Sequence, residues 1–155
     1  MKHIKTIIKY TSFLGYLVFL FWLLFGFRIL SLPNLLATND YWRIIHNKIN
    51  LIPFYTIIKF IGDIKTSPET SGTAIINIIG NIVGFIPLGY YITSIFLKNK
   101  TILNIIKYTI ITILIIEIIQ LFTLLGHFDI DDIILNTIGS IFGFILYKIS
   151  YNNSK

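Results

Sequence analysis

The chain has 155 residues, of which 55% are hydrophobic and 13% are Asp, Glu, Lys or Arg, and its mean hydropathy is +0.78. So few charged side chains cannot cover a soluble domain of this size, which indicates one integral membrane domain over residues 1–155. The net charge of +6 does not indicate nucleic acid, because the basic residues are scattered between apolar runs; it fits membrane topology and anionic lipid headgroups.

Four segments are long and apolar enough to cross a bilayer, which needs roughly 20 mostly apolar helical residues. They are residues 13–30, 74–97, 102–125 and 133–150. The connections after the second and third segments are short, so these helices should be antiparallel neighbours. The pattern predicts an all-α integral membrane protein with four transmembrane helices.

The segment between the first and second helices, residues 31–73, also has a helical pattern. Tyr41 and Trp42 are typical of the headgroup zone. After Pro53, apolar residues share one helical face, namely Phe54, Ile57, Ile58 and Ile61. We expect one or two short interfacial helices here, which form either a structural lid on the bundle or a substrate-binding surface.

Lysine positions predict the orientation in the cell membrane. Lysines precede the first helix, occupy the loop at residues 98–100 and follow the fourth helix, whereas the loop at 126–132 has no Lys or Arg. Both termini are therefore expected in the cytoplasm. The outer segment 31–73 carries four basic residues, which count less because the segment is long.

The second and fourth hydrophobic segments share a pattern of small and amide residues. Asn77, Gly80, Asn81, Gly84 and Phe85 align with Asn136, Gly139, Ser140, Gly143 and Phe144. Small residues let helix backbones approach closely in lipid, so the two helices should pack through these faces. Amides inside a membrane need partners and often line sites, so the three asparagines are candidates for either role.

Several costly polar residues should meet at the outer end of the bundle. Glu117 is the one acid inside a long apolar run, so it should face the interior with a partner or be protonated. The candidate binding residues around it are Asn77, Asn81, Gln120, His127, Asp129, Asp131 and Asn136. Asp131 and Asp132 have the alternative of capping the fourth helix, and His127 that of a plain interfacial side chain. Arg28 would pair with an acid or extend to phosphate headgroups.

These residues, in this order, resemble the VanZ-like family of small membrane proteins over residues 50–147. The motifs that carry the resemblance are Asn50-Leu-Ile-Pro-Phe54, Asn77-x-x-Gly80-Asn81-x-x-Gly84-Phe85-x-Pro87-x-Gly89, Glu117-x-x-Gln120, and Phe128-Asp-Ile-Asp-Asp132-x-x-x-Asn136-x-x-Gly139-x-x-x-Gly143. The chain departs from the family at His127, where many members carry Arg.

The resemblance implies a cell-envelope protein, since the family's named member confers low-level resistance to the glycopeptide teicoplanin. Its partner would be a membrane lipid or a lipid-linked cell-wall precursor.

The residues leave open whether the protein is an enzyme, and they specify no cofactor and no metal. As an enzyme, it would modify a lipid-linked phosphate at the outer leaflet. Glu117 would then act as general acid or base, and Asp132 would join Asp129 and Asp131 in holding a divalent cation. A third possibility is transport that uses Glu117 as a proton carrier.

Overall fold

A computed structural model describes residues 2–26, 28–32, 39–66 and 68–152. Its long helices are α1 (Lys2–Phe21), α4 (Pro68–Tyr91), α5 (Ile102–Phe122) and α6 (Ile130–Asn152), and its short helices are α2 (Tyr41–Asn47) and α3 (Tyr55–Thr66). Single π-helical turns extend α1 over Trp22–Gly26 and α4 over Ile92–Phe96, and a 3-10 turn spans Ile29–Ser31. Two short strands, β1 (Ile49–Asn50) and β2 (Phe128–Asp129), pair in parallel.

The four predicted transmembrane segments are confirmed as helices long and apolar enough to span a bilayer. These spans are Thr6–Gly26, Gly72–Phe96, Ile102–Phe122 and Ile130–Asn152. Large apolar side chains remain exposed on each span, as a lipid-facing surface requires, among them Val18, Val83, Ile115 and Leu146. One or two short helices were expected between the first and second spans, and two are present there, α2 and α3.

Several span boundaries differ from the prediction by a few residues, and two of the differences have local reasons. The first span starts at Thr6 instead of residue 13, because the lysines there do not interrupt the helix; Lys9 Nζ donates to the Ser94 carbonyl oxygen at 2.7 Å. The third helix ends at Phe122, because Leu124 adopts φ 58°, a left-handed conformation that a helix cannot continue through.

We call the polar end that end of the bundle at which α1 and α5 end and α4 and α6 begin. The connection between α5 and α6 is short, so these two helices are antiparallel neighbours. The β1–β2 pair joins the segment after α2 to the α5–α6 connection, with Asn50 opposite Asp129. Arg28 Nη1 adds a hydrogen bond to the Leu125 carbonyl oxygen at 2.7 Å. The segment between α1 and α4 is therefore held against the bundle.

The α4–α6 contact is the most extensive between helices, and glycines make it possible. A methyl group on Gly139 would overlap the Ile82 carbonyl oxygen, and one on Gly143 would overlap that of Ile86. On α4 the close approach occurs at Gly89, opposite the Ser140 backbone. Close backbone approach supplies the dispersion contacts that hold helices together in lipid.

We predicted that the glycines of α4 and of α6 both lie in the contact between these two helices. This is confirmed for the glycines of α6 and wrong for Gly80 and Gly84 of α4. Nothing lies within 4 Å of a methyl group placed on Gly80, and Gly84 meets only a Leu23 side-chain carbon at 3.8 Å. These two glycines instead turn toward α1 and the space beside it, so the repeated motif has different neighbours in the two helices.

We predict that Gly139→Ala destabilises the protein by about 1–3 kcal/mol, the usual cost of overpacking, because α4 must move away from α6. The matched control is Gly15→Ala, since Gly15 has no atom within 4 Å of an added methyl group. It should gain up to about 1 kcal/mol from helix propensity. Thermal unfolding of both purified variants in detergent measures the difference, and equal stability would contradict the close α4–α6 approach.

Candidate functional site

The start of α3 is held by a carboxylate from another helix. Asp131 has no exposed surface, and its two oxygens accept backbone N–H groups from Phe54 at 2.5 Å, Thr56 at 2.8 Å and Ile57 at 3.1 Å. The first N–H groups of a helix have no partner within the helix, and a carboxylate satisfies them well. Phe54, at φ 65°, turns the chain into this position. Asp131 therefore links α6 to α3.

The fourth span begins with a different cap from the one predicted. Asp129 Oδ1 accepts the backbone N–H of Asp131 at 2.9 Å, so Asp129 caps α6. The interpretation of Asp131 as the cap of its own helix is wrong, because its oxygens are used by α3.

Asp129 also binds the segment after α2. Its Oδ2 accepts the Thr56 hydroxyl at 2.6 Å, and its Oδ1 accepts the Asn50 amide at 3.2 Å. The same Asn50 amide donates to Thr56 Oγ1 at 3.0 Å. Sequence reasoning missed both partners. Asn50 lies in a motif of the family resemblance, which could have identified it as a partner. Thr56 is one of several polar residues on α3, and nothing in the sequence distinguishes it from the others.

Beside this network lies a cavity of about 540 Å³ at the polar end. Residues from α1, α3, α4, α5, α6 and the α5–α6 connection line it. Of the nine candidate site residues, eight line the cavity: Asn77, Asn81, Glu117, Gln120, His127, Asp129, Asp132 and Asn136. Asp131 is not in the lining, since it faces the start of α3.

The inner wall of the cavity is rich in hydrogen-bond acceptors. Glu117 is 3% exposed and its Oε2 accepts the Asp129 backbone N–H at 3.3 Å. Asp132 Oδ1 accepts the Asn81 amide at 2.6 Å, and the Asp132 carboxylate lies near enough to Glu117 to interact with it electrostatically. Gln120 is turned to α1, where its amide donates to the Leu24 carbonyl oxygen at 3.4 Å.

Asn136 differs from the other amides of this wall. It lies one turn after Asp132 on α6 and is 3% exposed. Its Oδ1 is buried without a hydrogen-bond partner in the part of the chain that the structure describes. Buried polar atoms in proteins are nearly always paired, so this oxygen is an acceptor for which the described residues supply no donor.

Basic side chains line the cavity together with these acceptors. They are Arg28, at the end of α1, and Lys59 on α3. Lys48 lies beside them and donates to the carbonyl oxygens of Leu124 at 3.0 Å and Gly126 at 3.1 Å. Burial, and then the nearby Arg28, lower the pKa of Lys48. The lining of the cavity therefore contains both basic side chains and carboxylates.

His127 lines the cavity as a neutral side chain at neutral pH. Burial lowers its pKa below the usual 6.5, Lys48 and Arg28 lower it further, and Asp129 opposes them. A histidine in this position does not supply the permanent charge of the Arg found in many VanZ-like proteins.

The three aspartates do not form the cation site considered above. Both oxygens of Asp131 are occupied by backbone N–H groups, and those of Asp129 accept Thr56, Asn50 and the Asp131 N–H. Across residues 2–26, 28–32, 39–66 and 68–152, no group of three or more His, Asp or Glu side chains could hold a metal ion. The described geometry supports binding through hydrogen bonds and charge.

Comparison with known proteins identifies the family of the chain. The sequence profile of the family described as VanZ/LLP1 matches residues 13–151, which is most of the chain and includes every candidate site residue. No curated protein and no solved structure matches the chain.

We predict that Asp131→Asn destabilises the protein by about 3 kcal/mol, because the α3 N–H groups lose a charged acceptor and face an amide. The matched control is Asp40→Asn, which removes an exposed ion pair with Arg43 and should cost under about 0.5 kcal/mol. Thermal unfolding in detergent, with limited proteolysis of residues 41–66, measures both. Equal stability of the two variants would show that Asp131 does not hold α3.

Proposed function

The chain belongs to the VanZ/LLP1 family, and we propose that it is a cell-envelope protein that binds an amphiphile in the cavity at its polar end. By binding that amphiphile or presenting it at the outer surface, the protein would lower susceptibility to glycopeptides such as teicoplanin. The observation that carries the proposal is the cavity itself, which brings eight polar candidate residues to one end of four membrane-length helices.

The chemistry of the cavity favours an amphiphile over a purely polar solute. The buried oxygens of Glu117 and Asn136 would accept hydrogen bonds from a ligand headgroup, and Asn136 Oδ1 has no other donor among the described residues. Apolar side chains complete the lining, among them Leu23, Phe60, Ile76 and Phe85. A ligand with a polar head and an apolar tail would satisfy both parts of this surface, and the membrane is the source of such molecules.

We also propose that the polar end faces outward and both termini lie in the cytoplasm. The lysine-rich loop at residues 98–100 is at the opposite end from the cavity, which agrees with the preference of short basic loops for the cytoplasm. Glycopeptides act outside the cell membrane, so the proposed function requires this orientation.

A second candidate is an enzyme that modifies a lipid-linked phosphate with Glu117 as acid or base. The observation in its favour is a buried carboxylate at a cavity that cations also line. The occupied oxygens of Asp129 and Asp131 count against the cation-dependent form of this reaction. Binding therefore remains the function that the geometry supports better.

We predict that a cysteine at position 39 reacts with an impermeant maleimide on intact cells, and that a cysteine at position 99 reacts only after permeabilisation. Asn39 and Asn99 are both exposed, and the protein contains no cysteine, so each Asn→Cys variant carries one reactive thiol. The reverse pattern would place the cavity in the cytoplasm and exclude action at the outer surface.

We predict that expression in a teicoplanin-susceptible strain raises the inhibitory concentration, and that Glu117→Gln abolishes this rise because the cavity loses a buried carboxyl group. Thr109→Val is the control, since Thr109 is a buried residue of the same helix outside the cavity lining. It should behave as the parent.

Unchanged susceptibility and envelope composition on expression of the parent would contradict the proposed function. Lipid profiles of the same strains separate the two candidates. A lipid product that requires Glu117 would favour the enzyme, and identical profiles with a Glu117-dependent change in susceptibility would favour binding.

A further inference from the structure

We propose that the amphiphile carries a primary ammonium group next to a phosphate, as an aminophospholipid headgroup does, with the ammonium seated among Glu117, Asp132 and Asn136. The proposal rests on the proposed function, because it names the ligand class of the same cavity. It starts from Asn136, whose buried Oδ1 has no partner among the described residues. Such an atom is destabilising unless a ligand donates to it.

Three acceptors converge on this position from two adjacent helices. Asp132 and Asn136 are four residues apart and share a face of α6, and Glu117 projects from the neighbouring α5. Within the described residues each carboxylate accepts one hydrogen bond, Glu117 from the Asp129 backbone and Asp132 from Asn81. A carboxylate has about four acceptor sites, so acceptor capacity remains on both.

A primary ammonium group matches this set better than other donors. It has three N–H donors and no acceptor, so it can donate once to each of the three side chains. Its positive charge also compensates carboxylates that burial would otherwise destabilise. A quaternary ammonium has no N–H to donate, and a hydroxyl brings no charge.

The cations of the lining place the phosphate nearer the rim. Glu117 lies five residues before the end of α5, and Asn136 lies six residues after the start of α6. At 1.5 Å per residue, they lie about 7.5 Å and about 9 Å inside the helix ends, respectively. Arg28 and Lys59 come from α1's end and α3, both at the polar end. A headgroup with its ammonium inside and its phosphate outside fits this charge order.

Apolar side chains account for the remainder of such a ligand. Leu23 and Leu24 of α1, Phe60 of α3 and Ile76 of α4 line the cavity and come from helices other than α6, which carries Asn136. Acyl chains in contact with these residues would extend between the spans into the bilayer, which makes a lipid a better ligand than a water-soluble aminophosphate.

Native mass spectrometry tests the ligand class directly. The purified full chain in mild detergent is offered equal amounts of phosphatidylethanolamine, phosphatidylcholine and phosphatidylglycerol with the same acyl chains. We expect retention of phosphatidylethanolamine in preference to the other two lipids. Equal retention of all three, preference for either of the other two, or no retained lipid would overturn the proposal.

Glycerophosphoethanolamine, which has the same headgroup without acyl chains, distinguishes the source of the chemistry. It should displace phosphatidylethanolamine only weakly. Displacement as effective as that by the lipid itself would overturn the assignment of a lipid and indicate a soluble aminophosphate.

Asn136→Leu tests the role of the unpaired oxygen. We expect phosphatidylethanolamine retention to fall roughly ten-fold or more, as for loss of a hydrogen bond to a charged group. The thermal stability of the lipid-free variant should be equal to or above that of the parent, because an unpaired buried atom is removed. Thr109→Val is the matched control, since its buried Oγ1 is also unpaired among the described residues but lies outside the cavity lining.

Thr109→Val should retain the lipid as the parent does. Glu117→Gln provides a second variant if Asn136→Leu does not fold, and it should show a similar loss of retention. A stable Asn136→Leu or Glu117→Gln protein with parental retention would overturn the proposed seat of the ammonium.

Failure of this inference and failure of the proposed function give different results. Selective retention of phosphatidylethanolamine without any effect on teicoplanin susceptibility would contradict the proposed function and support the proposed ligand class. A Glu117-dependent change in teicoplanin susceptibility without selective retention of phosphatidylethanolamine would contradict the proposed ligand class and support the proposed function.

Discussion

The polar end depends on one carboxylate that serves a helix other than its own. Asp131 sits in the first turn of α6, yet it accepts the backbone N–H groups that open α3. Without this acceptor, those groups would lose the partner that the first turn of α3 cannot supply. The interaction fixes where α3 begins, and thereby where Thr56 meets Asp129 and where Lys59 and Phe60 enter the cavity lining.

Close helix packing and an open cavity occur on different parts of the same two helices. At Gly139 and Gly143 the backbones of α4 and α6 touch, so no space remains between them. Nearer the polar end, Gly80 and Asn81 border the cavity, and Asn81 crosses to Asp132 through a hydrogen bond of 2.6 Å. The glycine contacts bring the helices together, and the polar residues at their starts define the wall of the cavity. The closest backbone contacts between α4 and α6 and the cavity lining thus occur at different positions along the same helices.

Buried polar atoms in this bundle are paired wherever they serve the architecture. Asp129 and Asp131 have several partners each, and Tyr16 donates to the Gly84 carbonyl oxygen at 3.0 Å. The exceptions among the described residues are Thr109, Asn136 and Thr137, of which Asn136 alone lines the cavity. An amide left unpaired at a cavity wall costs stability, and such costs are characteristic of sites that bind something.

Composition and apolar length determined the architecture from the sequence alone. A bilayer imposes a helix of about 20 apolar residues, and the chain contains four such segments with few alternatives. The same reasoning selected the site residues, because an acid or amide within a membrane-length helix is costly in contact with lipid and is expected to face the interior of the helix bundle. Eight of the nine candidates line one cavity.

Only the tertiary structure decided how those residues are used. The matching motifs in α4 and α6 predict equal packing faces, but Gly80 is open whereas Gly139 is in backbone contact, because each glycine's neighbours depend on where the other helices lie. Asp129, Asp131 and Asp132 look alike as neighbours in sequence, yet one binds Thr56, one caps α3 and one accepts Asn81. Hydrogen bonds between residues 50 to 80 positions apart carry no signature in local sequence, since the partner's position is set by the whole fold.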